Sequence, residues 1–424
     1  MDHSVNRIAV IGSGIAGLAA AHYLSRKHQV FLFEKETRLG GHTHTVTVES
    51  SAGPLPVDTG FIVHNDLTYP NLIRLLSELN VPRMDSDMSF AVSCHKTGYE
   101  YSSRGMNGFF AQRKNIVKPA SWRLFNEIKR FNREAVEILK RPDGENLRLG
   151  DFLAEKNFSD EFCELYLLPM ASAVWSCAHN MVKEFPAATL IRFFDNHRFL
   201  TVNHHPKWKT IEGGCSRYIE PLARAFRERV FTGVTIGRVL RDHSGVTVQF
   251  ADEHPEMRFE HVVFATHGDQ VLPLLADATT QEREVLGAFQ TSRNDVVLHT
   301  DEKLLPRLPA ARASWNYLLH LDPRNGQGPV TMTYHMNRLQ NLPGDENYCV
   351  TLNASGQIRP EKVLRKFVYN HPLLTLDSIR AQKRWMEISG VRRTHFCGAY
   401  WFYGFHEDGV NSALRVARSL GVPA

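Results

Sequence analysis

The sequence predicts an α/β fold in which a parallel sheet builds one domain and a discontinuous α+β domain is threaded through it. Two observations carry that expectation. The run Arg7 to Ile11 is apolar and β-branched, as suits a strand buried on both faces, and it passes through a cluster of glycines into Leu18 to Leu24, rich in good helix formers. Other short apolar segments suited to the same sheet recur far along the chain, near 230, 261 and 394, separated by stretches of different character.

A chain of 424 residues, 43% apolar and 22% charged, is long enough for two domains and ordinary in composition for a globular protein. Its 50 basic and 45 acidic residues leave a net charge of +5, too little to argue for nucleic acid as a partner. The six cysteines (Cys94, Cys163, Cys177, Cys215, Cys349, Cys397) are scattered with no CxxC pair, which reads as free thiols in a reducing compartment. No run reaches the roughly 18 apolar residues of a spanning helix. The apolar run Ile8 to Leu24 carries glycines and lacks the basic leader of a secretory signal, so a cytoplasmic location is expected.

The glycines are spaced as Gly12-Ser13-Gly14-Ile15-Ala16-Gly17, between the strand and the helix. In that context G-x-G-x-x-G is the dinucleotide-binding fingerprint of a Rossmann-type unit. Gly12 permits the tight turn, Gly14 lets backbone approach a pyrophosphate, and Gly17 lets helix and strand pack closely. The helix start at Ile15 and Ala16 then offers unpaired N–H groups to the phosphates. A second strand, Gln29 to Phe33, ends in Glu34, 22 residues after Gly12, where a carboxylate accepts hydrogen bonds from ribose hydroxyls.

The fingerprint alone does not separate NAD from FAD. The segment Glu34-Lys35-Glu36-Thr37-Arg38-Leu39-Gly40-Gly41-His42 resembles the E-x-x-x-R-x-G-G-R segment of the FAD-dependent amine oxidase superfamily, which includes phytoene desaturases and protoporphyrinogen oxidase. The resemblance implies non-covalently bound FAD, with Gly40 and Gly41 beneath the pyrophosphate and His42 where a second arginine usually stands. It continues through most of the chain. Val57 to Phe61 is similar to the segment beside the flavin ring, which implicates Gly60 and Phe61, and Trp208 to Cys215 to the return into the FAD domain. Val230 to Val234 is similar to the strand whose valine, here Val234, meets the adenine, and His261 to Thr266 to the A-T strand end that carries Ala265. Thr394 to Gly398 reads as a last strand, and Phe405 to Val410 leads into a helix whose N-terminus, by the resemblance, faces the flavin. Ala399 and Tyr400 occupy the places of the family's acid, so Asp408, with Gly409 and Val410, is expected to supply that contact. Within the superfamily, Gly41 to Thr45, Thr59 to Asn65 and Gly404 to Gly409 resemble a bacterial branch labelled only as predicted NAD/FAD-binding protein, whose members accompany cyclopropane fatty acid synthases. That likeness implies a lipid substrate and a lipid methyltransferase as partner.

These matches put the FAD-binding domain at 1–80, 205–280 and 375–424 and the substrate domain of an amine-oxidase-like fold at 81–204 and 281–374. In the first insert Leu124, Phe125, Ile128, Phe131, Ala135, Ile138 and Leu139 predict a helix over Ser121 to Lys140. Val239 to Phe250 and Arg258 to Ala265 read as strands. In the second insert Asp295 to His299, Trp315 to His320, Thr331 to Tyr334 and Tyr348 to Leu352 predict a small antiparallel sheet.

For the substrate side, Phe405 takes the position of a flavin-facing aromatic in the family, with Trp401, Phe402 and Tyr403 nearby. Trp175, Phe193, Phe194 and Phe199 predict an apolar chamber suited to a long hydrophobic substrate, and Tyr317 with Trp315 and Tyr334 is a further candidate lining for which core packing is the plainer reading. The lysine that amine oxidases often carry is missing from Ser292-Arg293-Asn294-Asp295, which weakens an amine as substrate. The stretch 104–141 holds ten basic and three acidic residues interleaved with Phe109, Phe110, Trp122 and Phe125. A solvated helical face is the plain reading, and a peripheral membrane surface the sharper one. No G-x-S-x-G elbow exists, and the pairs His42/His44 and His204/His205 lack the spacing of a metal site, so no metal is expected. The expected activity is an FAD-dependent oxidation or desaturation of a lipid or unsaturated acyl chain by hydride transfer to flavin N5. A lipid double-bond isomerase, an amine oxidase and a non-catalytic flavin-binding partner of a lipid-modifying enzyme are the alternatives. No catalytic residue is assigned.

Overall fold

The computed structural model describes residues 5–51, 53–94, 96–201, 206–319 and 330–423. At its centre lies a five-stranded sheet in the order Val230–Thr232, Gln29–Glu34, Arg7–Ile11, His261–Phe264, Thr394–Phe396. Every pairing in it is parallel, in register Ile8 to Val30 on one side and Ile8 to His261 on the other. Buried on both faces, the strands are the continuous apolar runs that such sheets require. The helix Ile15–Leu24 buries every residue except His22 and packs against the C-terminal helix His406–Ser419. The two come so close that a Cβ on Gly409 would stand 2.7 Å from Ile15 Cγ2.

The strand expected over Arg258 to Ala265 is two strands in two sheets. Met257–Phe259 closes an antiparallel ribbon with Val246–Phe250 and Ile236–Arg241, and His261–Phe264 enters the parallel sheet. Glu260 makes the handover, its N–H donating to Arg7 O at 3.0 Å while its carboxylate accepts from Arg7 N–H at 2.5 Å. The strand read through Val239 to Phe250 is likewise broken by the turn at Asp242, whose carboxylate accepts from the N–H groups of Ser244 and Gly245.

The sheet of the second insert is larger than expected and mixed. Its seven strands run Val363–Pro372, Thr291–His299, Cys349–Leu352, Thr331–His335, Trp315–Leu318, Phe90–Cys94, Tyr99–Ser102, with one parallel pairing, between Trp315–Leu318 and Phe90–Cys94. Alternation along a strand states which face is apolar but not which strand lies beside it, so the partnership across the two inserts could not be read locally. The last residue of the predicted segment Trp315 to His320 lies outside the described residues. The expected helix over 121–140 is α-helical across Pro119–Glu134 and tightens to 3₁₀ over Ala135–Lys140. Its apolar face joins Leu168–Trp175 and Ala187–Asn196 around a core of Leu124, Phe131, Phe162, Leu190 and Phe194.

All six cysteines are buried and unpaired. Among the described residues no helix is long and apolar enough to cross a membrane.

One buried ion pair locks the antiparallel ribbon to the parallel sheet. The Arg241 side chain is fully enclosed and grips Glu282 in two bonds of 2.5 and 2.9 Å, reaches Asp277 Oδ1 at 2.9 Å, and donates to Thr394 Oγ1 of the last strand at 3.2 Å. Removing one partner of such a pair leaves a guanidinium short of charge in low dielectric. Glu282→Ala is expected to lose about 3–5 kcal/mol of stability, read as a lowered urea midpoint; a midpoint like that of the unaltered chain would refute this role.

Candidate functional site

A cavity of about 840 Å³ opens at the carboxyl ends of the parallel strands, where α/β sheets bind ligands. Its floor is glycine backbone. Gly14 has φ −62° and an added Cβ there would meet no atom within 4 Å, so its Cα faces open cavity. Gly41, at φ +57°, lies so near that its Cβ would be 3.1 Å from Gly14 Cα. The two glycine loops are stitched together by a parallel bridge between Gly14 and Gly40 and by Gly40 N–H donating to Ser13 O at 3.0 Å. The helix Ile15–Leu24 begins at this floor with no side-chain cap, which leaves its first N–H groups for an anion.

Glu34 closes the nucleotide end. One carboxylate oxygen accepts from Ser13 N–H at 2.8 Å and Ser13 Oγ at 2.6 Å, and the other from Glu36 N–H at 2.9 Å. The carboxylate is thus held in the cavity lining with one acceptor site to spare for a hydroxyl. Arg38 holds the second glycine loop by donating to Gly41 O at 2.9 Å and Thr43 O at 3.4 Å. Among the described residues it makes no salt bridge with a carboxylate, which leaves its charge open to an anion. Lys35 and Val234 line the same end, and Gly60 lines the cavity wall beside Phe61. A Cβ on Gly60 would stand 2.1 Å from His42 O, which is why that position has no side chain.

Further along, the wall is imidazole and aromatic. His42 sits 5.3 Å from the His371 ring, 5.6 Å from His267 and 5.2 Å from Tyr369, with its Nε2 buried and without a partner. Enclosure and its neighbouring imidazoles hold its pKa well below the ordinary histidine value. At neutral pH His42 therefore offers a hydrogen bond and not the charge of the arginine it replaces. His406 stacks on Phe61 at 3.5 Å between ring centroids and shares a 2.9 Å hydrogen bond with Thr43 Oγ1; burial lowers its pKa to about 3. Beyond lies the aromatic chamber, where Phe193 stacks on Phe405 at 5.0 Å and meets Trp175 at 4.8 Å. Trp315 and Tyr334, a cross-strand pair, form the opposite wall.

The structure brings most of the predicted residues to one cavity: the loop from Gly12 to Ala16, Glu34, Lys35, Arg38, Gly40 to His42, Gly60 and Phe61, Val234, Ala265, Gly398, Trp175 and Phe405 all line it. Others lie elsewhere. Gly17 is packed behind the loop, where a Cβ would stand 1.9 Å from Gly12 O. Asp408 points away from the cavity and accepts from Phe405 N–H at 2.9 Å, capping the helix it begins. Burial, with Glu407 nearby, raises its carboxyl to about 7. Gly409 and Val410 are helix-packing residues on the same turn. Tyr317 is buried in the mixed sheet with its OH 2.7 Å from His179 Nε2. Phe194 belongs to the helical core. His204 and His205 lie outside the described residues, and among the described residues no cluster has a metal-binding arrangement. Sequence reasoning missed His267, Tyr369 and His371. The first follows Ala265-Thr266 directly, which was a usable signal; the other two come from a strand whose placement depends on the mixed sheet.

Two expectations follow from these geometries. Gly14→Val points its side chain into empty space, so the chain is expected to fold with ordinary stability yet fail to retain FAD, the dinucleotide that the sequence leads one to expect. Gly17→Ala collides with backbone and is expected to lower the melting temperature first. Flavin absorbance after gel filtration and thermal melts of both variants check this, and full flavin occupancy in Gly14→Val would sink the floor assignment. The second concerns pH. His44, His64, His197 and His371 have pKa values lowered to about 4 by burial, and His406 to about 3, so the unfolded chain binds protons that the folded chain refuses. Their contribution is fully present above the ordinary histidine value of about 6.5 and is lost as pH falls toward 4. Asp408 and Asp58, raised to about 7 and about 6, act in the opposite direction but are fewer. The urea midpoint of the apoprotein is expected to rise from pH 4.5 to 6.5, and a flat or falling profile would refute the neutral histidines.

Residues 15–420 match the sequence profile of a family described as flavin containing amine oxidoreductase. A Mycobacterium tuberculosis protein that carries the name of a flavin-containing monoamine oxidase is 27% identical over 248 residues, covering 57% of this chain and 53% of its own. The chain thus spans about half the length of the curated relatives it matches. Solved structures extend the likeness to the whole fold. A fatty acid isomerase from P. acnes superposes with a TM-score of 0.71 at 17% identity over 99% of both chains. Cyclohexylamine oxidase from Brevibacterium oxydans gives 0.68 at 15% identity, over 99% of this chain and 100% of its own. The glycine floor, the Glu34 carboxylate and Arg38 fit FAD in that cavity, and by its match over residues 15–420 the chain belongs to the family of flavin-containing amine oxidoreductases, whose cofactor is FAD.

Proposed function

We propose that this chain is an FAD-dependent oxidoreductase whose substrate is a long hydrophobic molecule, an unsaturated or branched acyl chain, oxidised or desaturated beside the flavin. The observation that carries the reading is the distribution of charge in the cavity. Its only carboxylates, among the described residues, are Glu34 and Glu36, and its lysine and arginine are Lys35 and Arg38, all at the nucleotide end. The far end is lined by Trp175, Phe193, Phe199, Tyr403 and Phe405, with His197 stacked on Phe193 at 4.0 Å. A protonated amine entering that chamber finds no anion in its lining to offset its desolvation, whereas an acyl chain loses little. The nearest carboxylates, Asp195, Glu407 and Asp408, line the adjoining cavity that shares Phe193 and Phe405.

Bound FAD supplies a ring that accepts a hydride equivalent at N5. The chain's own residues provide orientation and dryness. Trp175 Nε1 donates to Tyr403 O at 3.2 Å, which fixes the indole against Phe193 and leaves its face for an apolar substrate. His197 bonds Phe193 O through Nδ1 at 2.9 Å and is kept neutral by burial, pKa about 4, so it adds no charge to the chamber. Neutral His42, His267 and His371 likewise leave the region between chamber and nucleotide end without fixed charge.

Anaerobic mixing of the yellow holoprotein with unsaturated fatty acids and phospholipids, and separately with mono- and polyamines, tests the reading. Bleaching of the flavin band by the lipid set, with new double bonds in the recovered lipid, is expected. Bleaching by amines alone overturns it. Moved double bonds without lasting bleaching replace oxidation with isomerisation in the same chamber, and no change with either set would leave a non-catalytic flavin-binding partner.

A further inference from the structure

The basic, aromatic stretch 104–141 divides in two once its contacts are known. In the second half every cation but Lys129 has an acidic partner among the described residues: Arg130 with Glu127, Arg133 with Glu134, Lys140 with Glu137, and Arg141 with Asp143 and Glu155. In the first half none forms an ion pair among the described residues. Arg104, Arg113, Lys114, Lys118 and Arg123 are all exposed, and 104–123 contains no acidic residue.

The same half exposes apolar side chains. Of nine large hydrophobic residues exposed among the described residues, Met106, Ile116, Val117 and Trp122 fall within this short segment, and Val117 is 83% exposed. They form one surface. Trp122 Nε1 donates to Ile116 O at 2.7 Å, the Trp122 ring meets Phe110 at 5.1 Å, and Phe110 N–H donates to Met106 O at 3.0 Å. Arg113 is tied into it through Phe110 O at 3.2 Å. The patch is anchored, since Phe110 is buried and Phe109 packs against both the helical core and the mixed-sheet core.

The geometry points to a docking surface for an anionic lipid bilayer, made by residues 104–123. Basic heads pair with lipid phosphates while Val117, Ile116, Met106 and the Trp122 edge enter the headgroup boundary. A protein partner is disfavoured by the pattern itself: protein interfaces keep charge out of their apolar centre, whereas here each exposed apolar tip has a cation within a few residues. The inference does not rest on the substrate being a lipid, because its test reads adsorption and not turnover.

The test is co-sedimentation of the holoprotein with vesicles of phosphatidylcholine alone and of phosphatidylcholine mixed with phosphatidylglycerol. Binding is expected only to the mixed vesicles, weakened by salt and accompanied by a blue shift in tryptophan emission. Lys114→Gln and Lys118→Gln are each expected to weaken it about fivefold, and about thirtyfold together, and Val117→Asp to weaken it without altering flavin content or melting temperature. Lys140→Gln, at a lysine already paired with Glu137, is expected to change it less than about twofold. Equal binding to both vesicles, no binding to either, or binding indifferent to Lys114 and Lys118 would overturn the proposal. So would retention on heparin through the same two lysines with no vesicle binding, which would mark a polyanion or acidic protein surface.

Discussion

The site depends on backbone meeting backbone where no side chain fits. Gly12, at φ +104°, brings its Cα to where a Cβ would be 2.7 Å from Ala265 O, and Gly17 folds back onto Gly12 O. Gly60 does the same against His42 O. These contacts join segments from the start and middle of the chain into one floor and leave the helix Ile15–Leu24 with its N–H groups uncovered. Gly14 alone of the fingerprint has room for a side chain and carries none. The other glycines are demanded by the fold, and Gly14 by the space a ligand needs.

Asp58 shows how the rest of the molecule is tied to that floor. Its buried carboxylate accepts from Thr45 Oγ1 at 2.5 Å, Cys215 N–H at 2.9 Å and Gln340 Nε2 at 2.9 Å. One side chain thus joins the hairpin Thr45–Ser50 and Gly53–Asp58, the turn at Gly214 and a residue of the second insert. Burial of the charge raises its carboxyl to about 6, and the Thr45 and Cys215 donors limit that rise. Two residues later the chain reaches Gly60, so the network fixes the cavity wall as well as the fold.

Much of this was legible in the sequence, and the boundary between what was and was not follows the range of the interactions. The parallel sheet, the loop from Gly12 to Gly17, Glu34 and the Gly40-Gly41 pair announce themselves because each needs a residue type at a fixed short spacing. Trp175 and Phe405 were identified as apolar candidates and meet across Phe193. Asp408 was misplaced because an acid in the first turn of a helix serves equally to cap that helix or to face a ligand, and only the orientation decides. Tyr317 was misplaced by strand alternation, which puts it on the same face as Trp315 without saying that the cavity ends before it. His371 and Tyr369 were invisible, since they reach His42 only through a strand that pairs with Thr291–His299.

His42 joins these threads. By resemblance an arginine usually stands there. In the folded chain Arg38 holds Gly41 O, while His42 lies among His267, His371 and Tyr369 with an Nε2 that has no partner among the described residues. An arginine there would have to keep its charge beside two further imidazoles in an enclosed wall, at a desolvation cost that nothing nearby offsets. Histidine can shed its proton and stay as a neutral hydrogen-bonding group. The substitution therefore moves the boundary between charged and uncharged lining toward the nucleotide end, extending the uncharged wall that begins in the aromatic chamber. That uncharged wall is the physical ground on which the proposed preference for an acyl chain over an ammonium rests.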